Sequence, residues 1–299
     1  MILGLRWYGP VAVLVFVIST LLMTVHVNPF YSHYYDFAWY SYIVLADSLV
    51  YRWRGRSLLT SRFGEFVLML PLSFLIWEMF EGFNLRLENW YYVKIVQGEI
   101  EPLPFRYGNL PLYLIAYATV LPGIFETLEL VRIWSERRRS GLLRASVRPW
   151  EMTRTKFTVF QVVGWLCVAL PLLEPKVFFP LIWLCMLFLV DPLNYRAGRP
   201  SILGELSKGR ATLLCQLLIA GVICGVFWEI WNFWAGTKWI YTVPPPWNEM
   251  KIFEMPVLGF LGFPPFALEC YALYHFLRDL PGVRQLARTR SMFALESAK

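Results

Sequence analysis

The stretch FWEIWNFWAGTKWIY, from Phe227 to Tyr241, places one glutamate and one asparagine among tryptophan, phenylalanine and tyrosine residues. A second stretch, IWEMFEGFNLRLENWYY from Ile76 to Tyr92, has the same order of aromatic run, acid and closing aromatic residues. Aligned on their Trp-Glu pairs, they match Trp77-Glu78 with Trp228-Glu229, Glu81 with Asn232, and Trp90-Tyr91-Tyr92 with Trp239-Ile240-Tyr241. The match indicates that one part of the fold occurs twice.

Two further pairs of fragments repeat in the same order along the chain. ADSLVYRWRGRSLL, starting at residue 46, matches VDPLNYRAGRPSIL, starting at residue 190, and LPGIFE, ending at Glu126, matches PPFALE, ending at Glu269. If each copy holds four membrane spans, both copies enter the bilayer from the same side and form a parallel repeat. The sequence therefore predicts an all-α integral membrane protein with about eight transmembrane helices in two parallel four-helix repeats.

The composition supports a membrane location. Hydrophobic residues make up 57% of the chain and charged residues 16%, against about 25% charged residues in typical globular proteins. Apolar runs near the length that crosses a bilayer as a helix predict spans at about 9–27, 36–51, 65–83, 109–134, 157–173, 177–195, 212–235 and 256–278. The predicted units are a first repeat (1–135), a basic cytoplasmic linker (136–156), a second repeat (157–280) and a basic cytoplasmic tail (281–299).

The net charge of +7 is distributed unevenly across the predicted membrane. Of the 28 Lys and Arg residues, 22 fall at one end of the predicted spans. Because cytoplasmic segments of membrane proteins carry an excess of Lys and Arg, both termini are predicted to be cytoplasmic, in a bacterial-type inner (plasma) membrane. The charge is a topology signal, and no nucleic-acid partner is expected.

Four glutamates inside predicted spans are the candidate catalytic residues: Glu78, Glu126, Glu229 and Glu269. A carboxylate at mid-bilayer costs roughly 2.5–3.5 kcal/mol on insertion scales, so such residues usually face a cavity or a partner. Desolvation favours a neutral carboxylic acid. Such an acid can protonate an apolar substrate while aromatic faces stabilise the resulting cation, or it can join neighbouring helices by hydrogen bonds. Both readings stay open.

Aromatic and polar neighbours of these acids are the candidate substrate-binding residues: Trp77, Glu81, Trp228, Trp231, Asn232, Trp239 and Tyr241. For Trp90, Tyr91 and Tyr92 the simpler interpretation is the belt of aromatic residues that forms at a membrane interface. Structural, interfacial roles are predicted for Asp47 with Arg52 and for Asp191 with Arg196, each pair lying near a span end. A phosphate-binding or regulatory role is the alternative for these four residues.

Metal and cofactor chemistry has little support in the sequence. None of the three histidines recurs between the two halves, and the five cysteines lack a ligand-like spacing. We therefore expect no metal and no cofactor.

The stretches FWEIWNFWAGTKWIY and GFLGFPPFALE, and more weakly IWEMFEGFNLRLENWYY and LPGIFE, resemble the small membrane-embedded lycopene cyclase domains of the bacterial heterodimeric and fungal fused type. That family is also duplicated and cyclises polyene ends by protonating a double bond. The resemblance implies that Glu126 or Glu269 donates the proton, that Glu78 and Glu229 stabilise the cation or orient the donor, and that no redox-active metal is required. Here a single glutamate follows proline by four residues, where the family has two adjacent glutamates.

Three functions follow from these observations. The first is an enzyme that cyclises, isomerises or hydrates a long isoprenoid or carotenoid-like lipid. The second is a non-catalytic membrane subunit or lipid-binding scaffold, whose acids join helices within a larger complex of partner subunits. The third is a transporter, for which parallel repeats are suitable.

Overall fold

A computed structural model describes residues 4–96, 98–102, 110–138, 145–245 and 248–283. Within these ranges six helical segments are long and apolar enough to cross a membrane: Phe63–Leu87, Tyr113–Arg137, Arg154–Leu173, Pro175–Arg196, Thr212–Trp234 and Val257–Leu277. The protein is mostly helical and its long apolar helices are those of a membrane protein. Positions 139–144 of the predicted linker and 284–299 of the predicted tail lie outside the described residues.

The α-helices follow one another in twelve segments within the described residues. They are α1 (Tyr8–Thr24), α2 (Tyr34–Arg54), α3 (Leu58–Ser61), α4 (Phe63–Leu87), α5 (Leu110–Tyr117), α6 (Val120–Arg138), α7 (Arg154–Leu173), α8 (Pro175–Phe178), α9 (Cys185–Arg196), α10 (Ile202–Ser207), α11 (Thr212–Trp234) and α12 (Phe263–Leu277). Two 3-10 helices, Phe179–Leu184 and Val257–Gly262, continue directly into α9 and α12.

The first two helices account for the difference between eight predicted spans and the six found among the described residues. Helix α1 has 17 residues, which is short for a full crossing. Helix α2 has 21 residues but carries Asp36, Asp47, Arg52 and Arg54, which lower its hydropathy. The two helices pack against each other along their length, so they form a hairpin beside the longer spans.

The protein is not all-α as predicted, because its aromatic segments form short strands. They are β1 (Trp90–Val96), β2 (Glu99–Pro102), β3 (Thr237–Tyr241), β4 (Lys251–Ile252) and β5 (Met255–Pro256). Aromatic and β-branched residues favour strands, and WYYVKIV alternates large side chains between the two faces of β1. Strands β2, β1 and β3 form one antiparallel sheet, in that order, and β4 pairs with β5.

The three-stranded sheet joins the two halves of the chain. Trp90 lies opposite Tyr241, and Tyr92 lies opposite Trp239. Since alternate residues of a strand share a face, these four side chains lie together on one side of the sheet. Tyr91, between two of them, is exposed. Helices α4 and α11 lead directly into β1 and β3, so the inward face of the sheet lies over the ends of both helices.

Candidate functional site: two aromatic chambers with buried glutamates

Two tryptophans, one from each half of the chain, divide the site. The rings of Trp77 on α4 and Trp228 on α11 have centroids 5.1 Å apart. Together with Trp239 they border two cavities, which we call chamber A and chamber B. Chamber A is also lined by Trp90, Trp183, Tyr241, Phe263 and Phe266. Chamber B is also lined by Tyr35, Asp36, Tyr92, Tyr113 and Tyr117.

Glu81 lies behind the aromatic lining and is 1% exposed. Its Oε1 accepts four hydrogen bonds: from Trp77 Nε1 at 2.9 Å, Trp90 Nε1 at 3.1 Å, Tyr92 OH at 2.5 Å and Tyr117 OH at 3.2 Å. Donors to a carboxylate form the stronger, charge-assisted kind of hydrogen bond. All four donors meet on one oxygen, while Glu81 Oε2 is buried without a hydrogen-bond partner among the described residues.

Glu229 has a different hydrogen-bonding environment, although it is fully buried. Its Oε1 accepts one side-chain hydrogen bond, from Tyr241 OH at 2.8 Å. Its Oε2 is buried and has no hydrogen-bond partner in the described part of the chain. A carboxylic acid carries its proton on one oxygen and can accept on the other. Glu229 therefore has a site for a proton on Oε2 while Oε1 stays hydrogen-bonded to a tyrosine that lines chamber A.

The two strand tyrosines bonded to these glutamates are held as neutral phenols. Burial raises the pKa of Tyr241 well above its usual range, and the neighbouring Glu229 carboxyl raises it further. Burial, with additional effects from Tyr117 and Glu81, raises the pKa of Tyr92 in the same way. A neutral phenol donates one hydrogen bond and also accepts, so each tyrosine can connect its glutamate to the adjoining chamber.

Hydrogen bonds around the strands give some residues of the two halves the same kind of contact. Asn84 Nδ2 donates to the Trp90 carbonyl at 2.8 Å, and Asn232 Nδ2 donates to the Trp239 carbonyl at 3.0 Å. Glu81 likewise corresponds to Glu229 in binding a strand tyrosine. These contacts pair Glu81 with Glu229 and Asn84 with Asn232, through the common Glu-x-x-Asn spacing, whereas the sequence alignment matched Glu78 with Glu229 and Glu81 with Asn232.

Several of the residues expected at the site lie away from the two chambers. Glu78 is half-buried on α4 and is not part of either lining. Trp231 packs edge-to-face against Trp39, with ring centroids 4.9 Å apart. Glu126 is buried beside Asp47. Glu269 Oε1 accepts a hydrogen bond from the Met186 backbone N–H at 2.7 Å, at the start of α9.

The two aspartates accept hydrogen bonds from the short helices that follow them and do not pair with their neighbouring arginines in the described part of the chain. Asp47 accepts hydrogen bonds from Ser57 Oγ and from the Leu59 N–H, both at 2.8 Å, and Asp191 accepts at 2.8 Å from Ser201 Oγ and from the Leu203 N–H. Neither aspartate forms an ion pair with Arg52 or Arg196 within the described ranges. The guanidinium of Arg196 lies over the Phe157 ring, 3.4 Å from its centroid. The shared arrangement ties each span end to the helix that follows.

Sequence reasoning missed part of the site. Trp90 and Tyr92, interpreted as interfacial belt residues, point inward to Glu81, and the alternation in Trp-x-Tyr was the signal for a strand with two inward aromatic residues. Tyr117 also binds Glu81, from 36 positions along the chain. Trp183 stacks on Phe80 at a centroid distance of 5.1 Å. No local pattern pointed to these last two contacts.

Among the described residues, no three His, Cys, Asp or Glu side chains come together as metal ligands. Comparisons of the chain with protein-family models, with curated proteins and with solved structures find no match. The function proposed for the chain is therefore based on the chemistry of its own residues.

Proposed function

We propose that this chain is a membrane enzyme that protonates a double bond of a long isoprenoid or carotenoid-like lipid in chamber A, leading to cyclisation, isomerisation or hydration. The main support for the proposal is that Tyr241 lines chamber A and is hydrogen-bonded to Glu229, whose second oxygen is buried without a partner among the described residues. In this pair, the Glu229 carboxyl group can carry a proton, and the Tyr241 hydroxyl lies at the wall of chamber A. General acids of this kind typically contribute 10²–10⁴-fold to a rate.

The proposed proton transfer needs rotation of two groups, the Tyr241 hydroxyl and the Glu229 carboxyl. In the protonated enzyme, the carboxyl turns so that its protonated oxygen donates to the Tyr241 oxygen, while the Tyr241 hydroxyl turns toward the substrate. As the phenol proton moves to an alkene carbon, the Glu229 proton moves to the phenol oxygen. The substrate becomes a carbocation and Glu229 becomes a carboxylate. Loss of a proton from a neighbouring carbon back to Glu229 completes isomerisation or cyclisation without a net change in protons.

The walls of the chamber suit a cationic intermediate. Trp77, Trp228 and Trp239 present aromatic rings, whose faces attract positive charge. Glu81, behind Trp77 and Trp90, supplies a nearby anion held by four donors. Negative charge placed in advance where positive charge develops lowers the energy of a transition state.

The end group of a lipid fits this location better than a whole lipid. Chamber A is a limited space enclosed by tryptophan, tyrosine and phenylalanine rings, whereas a long isoprenoid chain needs more space. The segment Val257–Gly262 contributes Gly259 and Gly262 to the chamber wall, and its Leu258 and Leu261 are exposed. In the proposal, the rest of the lipid leaves the chamber along this apolar segment and lies in the bilayer.

We further propose eight membrane crossings in two parallel repeats, in a bacterial-type plasma membrane with the basic end cytoplasmic. The matched hydrogen bonds of Glu81 and Glu229, of Asn84 and Asn232, and of Asp47 and Asp191 support the repeat. The exposed valines and leucines along α1 support contact between the α1–α2 hairpin and lipid.

The experimental test measures how much of a linear polyene is converted by cells that produce the protein. The lipids are extracted from the cells and analysed by chromatography and mass spectrometry. We expect Glu229→Gln and Tyr241→Phe each to lower conversion roughly 100-fold or more, since either change interrupts the proton path. Tyr91→Phe is the matched control, because it removes an exposed hydroxyl from the other face of the sheet and should leave conversion unchanged. Undiminished conversion by both Glu229→Gln and Tyr241→Phe, in protein that reaches the membrane at the parental level, would refute the proposal.

A lipid-binding scaffold is the second candidate, and Glu269 favours it. The bond from the Met186 N–H to Glu269 satisfies a backbone donor at the start of α9, which is the structural use of a membrane-embedded acid. For a scaffold, the purified protein would retain a polyene or other lipid in stoichiometric amount, and the variants Glu229→Gln and Tyr241→Phe would change thermal stability without changing any lipid product.

A further inference from the structure

A further cavity, separate from chambers A and B, lies at the opposite end of the bundle from the sheet and is lined by charged residues. It has about 1100 Å³ of open space between the end of α2, the short α3 and the middle of α6. Four arginines line it, together with two serines and one glutamate: Arg54, Arg56, Arg62, Arg132, Ser57, Ser61 and Glu129. We infer that this arginine cavity binds a phosphate group, carried either by a phospholipid or by a small soluble anion.

The ion pairs around the arginine cavity leave positive charge uncompensated. Arg54 pairs with Glu136 at 2.7 Å and Arg132 with Glu129 at 2.5 Å. Arg62, at 3.4 Å, shares Glu65 with Arg278, at 2.5 Å. Arg56 has no carboxylate within 4 Å among the described residues. In these ion pairs four guanidinium groups share three carboxylates. Arg56 is a fifth guanidinium and the buried Asp47 bonded to Ser57 is a fourth carboxyl group, so the arginines still outnumber the acids among the described residues.

The loop that carries Arg56 is fixed by its own hydrogen bonds. Gly55 ends α2 with a positive φ of 70°, a conformation that glycine adopts without strain. Ser57 then begins α3 with a capping box, and its hydroxyl also donates to the buried Asp47 at 2.8 Å. Asp47 also accepts from the Leu59 N–H, so it fixes the turn both at Ser57 and two residues after it. A site that is already ordered binds with less loss of conformational entropy.

The excess of basic residues on cytoplasmic segments explains how many arginines lie at this end, but it does not explain why four of them line one cavity. The equivalent segment of the second half is different. There Arg199 pairs with Asp279, and Arg210 binds both carboxylate oxygens of Glu205. Because each of these arginines already has a carboxylate partner, a substitution of one of them serves as a control for a substitution in the arginine cavity.

Phosphate is the chemical group that suits this arrangement. Guanidinium groups bind phosphate oxygens with paired, charge-assisted hydrogen bonds, and basic pockets between membrane helices on the cytoplasmic side bind phospholipid head groups. Ser61 lines the same cavity and offers a hydroxyl that can donate to a phosphate oxygen. A phosphate group would supply negative charge where the arginines outnumber the acids.

The test compares two substitutions in the full-length protein, Arg56→Gln and the control Arg210→Gln. Arg56 is exposed and forms no ion pair with the described residues, so its replacement removes charge without breaking an ion pair seen there. In the first arm, protein purified in mild detergent is examined by native mass spectrometry for retained anionic phospholipid. In the second arm, delipidated protein is titrated with inorganic phosphate and with pyrophosphate while its thermal unfolding is followed.

We expect the parent and Arg210→Gln to behave alike, and Arg56→Gln to bind about tenfold more weakly, the effect of losing one charge-assisted contact. Retained anionic phospholipid that Arg56→Gln loses identifies a lipid head group. Stabilisation by phosphate or pyrophosphate alone, again lost in Arg56→Gln, identifies a soluble anion. Absence of binding in both arms, or an equal loss in Arg56→Gln and Arg210→Gln, would overturn the inference.

Discussion

The two glutamates beside the chambers differ in what surrounds their oxygens. Glu81 has four donors on one oxygen, whereas Glu229 has a single tyrosine. Trp77 and Trp90 can only donate, because the indole nitrogen has no acceptor capacity. A proton on Glu81 Oε1 would compete with these four donors, whereas one on Glu229 Oε1 would compete only with the Tyr241 hydroxyl; the Oε2 atom of each glutamate is buried without a hydrogen-bond partner among the described residues. In the proposal, Glu229 rather than Glu81 carries the proton because fewer side-chain donors oppose a proton there.

The phenol of Tyr241 should stay protonated in alkaline solution. Burial and the Glu229 carboxyl raise its pKa, whereas a tyrosine in an unfolded chain ionises near pH 10. Below about pH 10 the folded state keeps the full benefit of the buried phenol, and above it this stability is lost as the unfolded state releases its proton first. Tyrosinate absorbance of the folded protein at about pH 11 should thus be equal in the parent and in Tyr241→Phe.

The control for this titration uses the same samples after unfolding in strong detergent. All 16 tyrosines are then accessible, so Tyr241→Phe should show one tyrosinate fewer than the parent. A difference of one tyrosine in the folded state as well would mean that Tyr241 ionises freely, and the closed contact with Glu229 would have to be abandoned.

At the scale of elements, the strands position most of the site. Trp90 and Tyr92 of β1 lie opposite Tyr241 and Trp239 of β3, and all four aromatic side chains face the helices. Cross-strand aromatic pairs stabilise a sheet by roughly 0.2–1 kcal/mol each. Without the pairing of β1 with β3, no shared structure would connect the ends of α4 and α11. The strands thus hold Tyr92 beside Glu81 and Tyr241 beside Glu229.

Close packing between α11 and α12 should make Gly221 intolerant of a side chain. A Cβ atom at Gly221 would lie 2.7 Å from the Phe263 carbonyl oxygen and 2.8 Å from the Pro264 Cα, both of them backbone atoms that cannot rotate away. Small residues allow helices to approach closely in membrane proteins. We expect Gly221→Ala to lower stability by roughly 1–3 kcal/mol, the usual cost of overpacking, as measured by thermal unfolding in detergent.

Gly82→Ala is the matched control for that substitution. Gly82 also lies in a long helix, but a Cβ atom there meets nothing within 4 Å, and replacing a helical glycine by alanine can stabilise by about 0.4–1 kcal/mol. The unfolding temperature of Gly82→Ala should equal or exceed that of the parent. If Gly221→Ala were equally stable, the contact between α11 and α12 would be looser than described.

How far the sequence predicts this site depends on the separation of its parts along the chain. Glu229 and Tyr241 are 12 positions apart, and the pattern of aromatic helix followed by Trp-x-Tyr was enough to group them. Tyr117 reaches Glu81 from a different helix, and Met186 reaches Glu269 from 83 positions away. Contacts of this kind depend on how helices pack, which local periodicity does not specify.

At the scale of the whole molecule, apolar runs identified the long helices, because the length needed to cross a bilayer is set by its thickness. The strands were not predicted, since a run of seven residues such as WYYVKIV is too short to be distinguished from an interfacial loop by hydropathy. The number of crossings depends on α1 and α2, where Asp36 and Asp47 reduce the apolar character of an otherwise long helix. The packing of α1 against α2 is a tertiary contact, which the hydropathy of a sequence window does not reveal.

The position of the α1–α2 connection bears on whether these helices cross the membrane. At one end of the hairpin, Tyr8 OH donates to Asp47 at 2.6 Å, beside the arginine cavity. At the other end, the Gly236 N–H donates to the Tyr31 carbonyl at 2.8 Å, next to β3. The hairpin therefore runs from the arginine-rich end of the bundle to the sheet end, alongside the long helices.

Labelling of single cysteines with a membrane-impermeant maleimide tests this arrangement directly. We expect Val27→Cys, in the α1–α2 connection, to react from the same side as Glu99→Cys in β2, and Arg56→Cys to react from the opposite, cytoplasmic side. The parent, whose native cysteines are buried or half-buried, provides the background. Six crossings without the hairpin would let Val27→Cys react from the same side as Arg56→Cys, because α1 and α2 would then lie on the basic face of the membrane. Reaction of Val27→Cys and Glu99→Cys only from the non-cytoplasmic side requires that α2 crosses. Because Tyr8, at the start of α1, is bonded to Asp47 at the arginine-rich end, α1 then crosses as well, which brings the number of crossings to eight.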